Sequence, residues 1–327
     1  MSEIRTDPLT GFTTIFAPER ARRPMKISGN ASQYVATQEQ ISSDPFAEGK
    51  EAETTPELFA IRSPETKANQ PGWNVRVVAN KYPALTPVSD SDQYGVHEVI
   101  VECPQFETHA SSLDQTQFQY MFQAYRQRVA AHRDDPRLNY ALIFKNQGIL
   151  GGASLGHVHS QFLASHLVPQ ALQQEVQAAR AHQSEHACSL FHTITRDSTD
   201  GFSGRVISTK YFDIICPFAS RFSYETWVIP RSLKTHFDHS SDQELNDLAC
   251  ITRRLLCSLE ALLGRHDLNY VIQMPPYDTR EQDGYAWSLR VYPRLAHLAG
   301  FEIASNAFIN PVYPEQAVEE LKQQLHL

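Results

Sequence analysis

Apolar and polar residues alternate along WNVRVVANKYPAL (73–85) and GVHEVIVECP (95–104), the period-two pattern of half-buried strands. LDQTQFQYMFQAYRQRVAAHRD (113–134) switches to helical spacing and predicts an amphipathic helix. LNYALIFKN (138–146) reads as a strand. A glycine-bearing loop follows it, then a further extended segment, His157-Val158-His159-Ser160-Gln161. ALQQEVQAARAHQSEH (171–186) is a second helix, bridging to the rest of the chain. Residues 30–70 are polar and rich in Ser, Glu, Thr and Pro, and read as a long loop or arm.

The same order of elements then recurs. GRVISTKYFDIICPF (204–218) and YETWVIPR (224–231) are predicted strands, and DQELNDLACITRRLLCSLEALLG (242–264) is a helix. LNYVIQMPP (268–276) and YAWSLRVYPRL (285–295) are strands. Leu138-Asn139-Tyr140 and Leu268-Asn269-Tyr270 stand 268 − 138 = 130 apart, and Glu98 and Glu225 stand 225 − 98 = 127 apart. Two similar half-chains are the simplest account. On this repeat His157-Val158-His159 falls opposite Ala286-Trp287-Ser288, and Gln161 opposite Arg290. Only one half can then carry histidine chemistry.

Composition narrows the class. The 327 residues suffice for one large domain or two ordinary ones, and the apolar and charged content is that of a globular chain. A formal net charge of −8 argues against a dedicated nucleic-acid binder. No apolar run approaches bilayer length and the first residues lack a signal core, so a cytoplasmic enzyme is expected, with no membrane partner. The five cysteines are scattered and form no Cys-X-X-Cys, which removes a disulfide framework and a cysteine zinc knuckle.

Alternation would put His157, His159 and Gln161 on one strand face. A neutral imidazole is a competent nucleophile toward phosphorus, a neighbouring amide can hold a phosphoryl oxygen, and small residues let backbone N–H groups approach phosphate. A bare His-X-His is as readily a structural pair on a half-exposed strand. The adjoining Gly151, Gly152 and Ser154 favour the chemical reading. His182, His186 and His192 read as a solvated helix face. His236 and His239 read as a loop before a helix starting near Ser240-Ser241-Asp242.

These landmarks resemble the galactose-1-phosphate uridylyltransferase family, a branch of the histidine-triad superfamily. The likeness covers RTDPLTGFTTIFAPERARRP, NKYPAL, HEVIVECP, the segment Asn146 to Gln161, CPFASRFSYETWVIPR and AGFEIASNAFINPVYPEQAVEEL, in order. It implies an α+β fold of two histidine-triad-like halves, each an antiparallel sheet packed with helices. Residues 1–195 would form the catalytic half with its N-terminal arm, and 196–327 the half without the histidine pair. The implied reaction is a two-step exchange. His159 attacks the α-phosphorus of a UDP-sugar, a sugar 1-phosphate leaves, and a hexose 1-phosphate takes the nucleotide from the uridylyl-histidine. Donors to the phosphoryl oxygens matter more in such a reaction than an acid or base.

The resemblance assigns Gln161 to the phosphate, and Asn146, Gly152 and Ser154 to phosphates or sugar. It assigns Arg20 and Arg23 to the nucleotide region, Asn80 to the uridine side and Glu302 to a sugar hydroxyl. On sequence context alone the arginines fit a solvated turn equally well, and Asn80 a turn closing a strand. Ala296 and His297 replace the lysine and phenylalanine that precede the glutamate in relatives, so the hexose side departs from the pattern.

Zinc-bearing relatives use the first histidine of the pair as a ligand. Here the other ligand positions are held by Asp44, Ala47 and Phe106, which leaves His157 as the one retained zinc-ligand position. Structural zinc and any required cofactor are not expected. The relatives' iron-type site falls on Ala286-Trp287-Ser288. Relatives also draw pocket residues from a second subunit, which implies a homodimer. Two alternatives stay open: an NDP-sugar or dinucleotide phosphorylase or hydrolase using the same His159, for which the base could be adenine, and a non-catalytic nucleotide-binding protein.

Overall fold

The computed structural model describes residues 2–22, 36–87, 94–196 and 203–325; Arg23 lies outside them. The chain begins with β1 (Glu3–Thr6) and β2 (Thr13–Phe16), then α1 (Gln38–Ser43). The first half continues with β3 (Glu57–Arg62), β4 (Trp73–Ala79), β5 (Gly95–Val101), α2 (Gln115–His132), β6 (Tyr140–Gln147) and β7 (His159–Ser165). Two helices, α3 (Gln170–His186) and α4 (Leu190–Arg196), lead to β8 (Arg205–Ser208), β9 (Phe212–Ile215) and β10 (Thr226–Pro230). The rest is α5 (Asp242–Leu263), β11 (Asp267–Gln273), β12 (Ser288–Arg294), α6 (Gly300–Ser305), β13 (Phe308–Asn310) and α7 (Pro314–Leu325).

Strands β3 to β12 form one sheet in the order β3-β4-β5-β7-β6-β11-β12-β10-β9-β8. The order reads alike from both ends toward the central β6–β11 pair. All pairings in this sheet are antiparallel, as an α+β fold requires. The two halves are thus not separate sheets. They share one sheet and one apolar core, in which Phe118, Phe122 and Tyr125 of α2 meet Leu245, Leu255 and Leu259 of α5. A small second sheet, β1-β2-β13, includes a parallel β13–β2 pair.

The register corrects two sequence tags. Phe144 pairs with Gln161 and Val271 with Arg290, while Phe144 and Val271 pair with each other across the centre. Counterparts there are 271 − 144 = 127 apart, not 130. Gln161 does face Arg290 as counterpart. Tyr140 and Tyr270 do not match: Tyr140 packs with Leu172 and Trp227, and Tyr270 in the α2–α5 core on the opposite face. Glu98 also slips by one, because Val99 and Trp227 occupy equivalent pairings. Short polar-aromatic tags recur by chance, whereas strand order is fixed by the hydrogen-bond ladder.

Other expectations shift as well. The arm at 30–70 contains α1 and the strand β3, whose partner β4 supplies the hydrogen bonds that polar composition concealed. GRVISTKYFDIICPF is a hairpin of β8 and β9 rather than one strand. α5 begins as read, with Ser241 and Glu244 forming a capping box. The expected boundary at 195/196 falls at the foot of α4.

Helices α2 and α5 cover one face of the sheet. On the other face α3 crosses to the second half, burying Leu172, Val176 and Ala179 against Trp227 and Tyr285. Among the described residues, the first half of that face is covered only at its edge, where Phe46 packs on Trp73, Val99 and Val101. His159 and Gln161 stand beside this gap.

Candidate active site

β7 begins at His159, so His157 lies in the loop before it rather than on the strand. Alternation holds for His159 and Gln161, which share a face. The His159 ring is buried, and its Nδ1 lies 2.7 Å from the main-chain carbonyl of His157. A carbonyl only accepts, so Nδ1 carries the proton and the lone pair resides on Nε2. Burial holds the His159 pKa below the usual imidazole value, against the opposing His157 carbonyl bond and with help from the Lys145 charge. The group is therefore a neutral imidazole with a fixed tautomer. The edge of Phe46 meets the ring at 5.3 Å between centroids.

The strand beneath is anchored by a buried polar cluster. Lys145 donates to the Glu102 carboxylate and, at 3.2 Å, to the His159 carbonyl; Ser160 and the phenols of Tyr125 and Tyr270 converge on the same carboxylate. Burial pushes the Glu102 pKa up, but the Lys145 charge and these bonds outweigh it and hold the carboxyl below its ordinary range. Removing one partner of such a buried pair costs about 3–5 kcal/mol.

Gln161 is oriented by a residue the sequence reading did not single out. The Ala84 N–H donates to His97 Nδ1 at 3.0 Å, so His97 carries its proton on Nε2 and donates it to Gln161 Oε1 at 2.7 Å. Asn80 is fixed by Tyr82 N–H donating to its Oδ1 at 2.9 Å, which turns its amide N–H toward Gln161 Oε1 at 3.5 Å. Its 3.2 Å approach to His97 Nε2 then joins two donors and is no hydrogen bond. With Oε1 so engaged, the Gln161 NH2 is left to donate outward. The available signal was HEVIV itself: alternation puts His97 and Val99 on one face, and Val99 pairs with Gln161.

The loop 148–154 is pinned from the second half. Asp267 accepts from Leu150 N–H at 2.6 Å, and Asn269 donates to Gly151 O at 2.7 Å and to Asn146 Oδ1 at 2.9 Å. A Cβ at Gly151 would sit 2.3 Å from Gln147 O and 2.7 Å from Leu268 O, so the main chain there passes too close for a side chain. Gly152 is different. It has open space but φ +80°, which favours glycine for conformation alone. Ser154 is exposed on the same loop.

Of the expected site residues, the structure gathers Asn80 and Gln161 through the His97 network, and holds Asn146 and Gly152 in or beside the loop leading to His159. Arg20 is exposed on a turn after β2. Glu302 caps α6, accepting from Ala299 N–H at 3.0 Å, and among the described residues nothing ties it to His159.

His157 has its own surroundings. Its Nδ1 lies 2.6 Å from Asp44 Oδ2 and its Nε2 2.9 Å from Cys103 O, with the rings of Phe46 and Phe106 at 6.2 and 5.7 Å. Both nitrogens face acceptors, so neither lone pair is presented to a metal. Ala47 and Phe106 bring no ligand atom, and burial pushes the Cys103 thiol up, away from the thiolate that zinc needs. These residues do not fit a tetrahedral zinc. Among the described residues no group of three or more His, Cys, Asp or Glu could hold a metal, and no helix is long and apolar enough to cross a membrane.

Residues 1–169 match the family model for the N-terminal domain of galactose-1-phosphate uridyl transferase. The chain belongs to the galactose-1-phosphate uridylyltransferase family. It is 31% identical to an ADP-glucose phosphorylase of Arabidopsis thaliana over 98% of this chain and 92% of that protein. The crystal structure of an ADP-glucose phosphorylase from Arabidopsis thaliana with bound ADP-glucose superposes with a TM-score of 0.84 at 29% identity, covering 99% of both chains. A galactose-1-phosphate uridylyltransferase of Thermotoga maritima is 23% identical over 99% of this chain and 98% of its own. The family includes both nucleotidyltransferases and phosphorylases, and the present chain is a divergent member of it.

Proposed function

We propose that this protein moves a nucleoside monophosphate from a nucleoside diphosphate sugar through a covalent nucleotidyl-histidine at His159. The observation that carries this reading is the hydrogen bond from His159 Nδ1–H to His157 O, which leaves a neutral Nε2 directed away from its own backbone. Nε2 attacks the α-phosphorus, the P–O bond to the β-phosphate breaks, and the sugar 1-phosphate leaves with that electron pair. The Gln161 NH2, held outward by His97, donates to an oxygen of the α-phosphoryl group as charge builds there. Asn146, Gly152 and Ser154 line the approach of the phosphates or sugar, and Asn80 the nucleoside side.

The acceptor in the second step is inorganic phosphate, giving a nucleoside diphosphate: the protein is an ADP-sugar phosphorylase in this reading. The higher identity to the Arabidopsis ADP-glucose phosphorylase supports it, as do Ala296 and His297 at the hexose-side positions. A second reading, uridylyl transfer to a hexose 1-phosphate, is supported by the family match over residues 1–169. Labelled phosphate entering ADP from ADP-glucose supports phosphorolysis. Labelled hexose 1-phosphate entering UDP-hexose without phosphate turnover would replace it with transfer. Absence of an alkali-stable, acid-labile label on the protein from any nucleotide sugar would remove both.

The reaction as proposed needs no metal. A homodimer is also part of the proposal: α6 exposes Phe301 and Ile303 beside Glu302, and Leu298 just before the helix is exposed too, apolar residues suited to covering a second copy. Sedimentation at working concentration tests it.

A further inference from the structure

On the sheet face that bears Gln161, the second half carries a cavity of about 380 Å3. Gln161, Phe144, Val271 and Arg290 lie in one row across four adjacent strands, so this cavity occupies the counterpart of the catalytic position. Its lining sets three guanidiniums, Arg221, Arg290 and Arg294, against one carboxylate, Glu175. Glu175 is spent on Arg290, which reaches it with two hydrogen bonds of 2.9 and 2.7 Å.

The other two cations are not matched in this way. Arg221 donates to the Tyr292 hydroxyl at 3.0 Å and lies 3.7 Å from Glu225. Glu225 already accepts from the Trp227 indole N–H at 2.9 Å and the Arg221 main-chain N–H at 2.7 Å. Arg294 makes no ion pair with a described residue. Its Nη1 donates to Asn269 Oδ1 at 2.8 Å, and its Nε is buried without a partner. Asp267, opposite it on β11, attracts it through space but accepts from the Leu150 N–H. Burial holds the Arg294 pKa below its ordinary value, the mark of a cation short of counter-charge. Phe12 and Phe222 stand at the same cavity, 4.7 and 5.9 Å from the Arg221 guanidinium.

We propose that this cavity is a second ligand site, distinct from the His159 pocket, that takes a sugar phosphate. The phosphate sits between Arg221 and Arg294, where a planar fork and an unpartnered N–H meet it, and the sugar ring lies against Phe12 and Phe222. The site has a built-in link to the catalytic loop. Asn269 accepts from Arg294 and donates to Gly151 O and Asn146 Oδ1, so a ligand that draws Arg294 away alters what holds the loop. The site stands whichever acceptor the catalytic reaction uses.

Equilibrium dialysis of labelled glucose 1-phosphate against the full chain carrying His159→Gly, with ADP and UDP both saturating, tests the proposal. One site per chain is expected to persist. Arg294→Gln and Arg221→Gln should each weaken it at least tenfold, while Arg294→Lys retains most of the binding and thermal unfolding shows each variant folded. Arg221→Gln, at a residue bonded to Tyr292 and not to the catalytic loop, should leave ADP and UDP affinities unchanged. No binding beyond the nucleotide-competed site would overturn the proposal, as would binding indifferent to both arginines. Inorganic phosphate competing as tightly as glucose 1-phosphate would overturn the sugar assignment.

Discussion

The main-chain carbonyl of His157 accepts a 2.7 Å hydrogen bond from Nδ1–H of His159. The first histidine therefore sets the tautomer of the second through its backbone, while its own ring is held by Asp44 and Cys103 O. One ring is held at both nitrogens, and the other is held at Nδ1 alone.

The pH dependence follows from the buried, neutral His159. Its folded pKa lies below the ordinary imidazole value of about 6.5, so Nε2 keeps its lone pair through neutral pH. Single-turnover labelling of the protein is expected to be flat above about pH 6.5 and to fall only below it. The stability contribution has the same sign: a depressed histidine pKa gives stability present above the unfolded value and lost as pH falls through it. A labelling rate already halved at pH 7.5 would contradict the assignment.

His159→Gly should abolish the alkali-stable, acid-labile labelling and leave nucleotide binding intact. A variant still labelled at another residue would sink the mechanism. Mass spectrometry of the trapped protein reads both outcomes.

His97 acts by turning the Gln161 amide. Replacing it with Phe removes the donor to Oε1 and allows the amide to flip, so kcat for nucleotidylation should fall about 10–100-fold, somewhat less than removal of a direct donor to a developing oxyanion. KM should change little. His97→Gln, which can donate, should recover part of the rate; an unchanged kcat in His97→Phe would discard the role.

The two loop glycines should separate. Gly152→Ala meets open space and costs about 1 kcal/mol for its left-handed backbone. Gly151→Ala drives a methyl into two carbonyl oxygens and should destabilise several times more, with loss of labelling. Urea unfolding of both variants gives the comparison, and equal costs would refute it.

Asp44→Ala should cost about 3–5 kcal/mol, because it strips the carboxylate from a buried histidine contact. Chelator should leave the unfolding midpoint and labelling of the parent protein unchanged. A chelator-sensitive midpoint, with zinc recovered in stoichiometric amount, would reverse the reading of this region.

The sequence carried the strand and helix order well, because period-two and helical spacing are local properties of the chain. His159 and Gln161 were legible for the same reason: they lie two apart on one strand. So was the asymmetry between halves, since Arg290 stands where Gln161 has its counterpart. Repeat spacing was less legible, and the tags at Tyr140 and Tyr270 point to opposite faces. The polar composition of residues 30–70 hid β3, which takes its stability from pairing with β4 rather than from an apolar stripe of its own.

Sequence alone thus determined the elements, their duplicated order and the family resemblance, and it singled out the histidine proposed to meet phosphorus. Only the tertiary structure decided that the two halves share one sheet, that Asp44 engages His157, that His97 aims Gln161, and that Asn269 ties the loop to Arg294. The physical reason is range. Periodicity and motif chemistry are written between residues a few positions apart. A hydrogen bond from Asn269 to Gly151, or from His97 to Gln161, joins positions 118 and 64 residues apart. Such contacts exist only once register and strand order have brought those residues to one face.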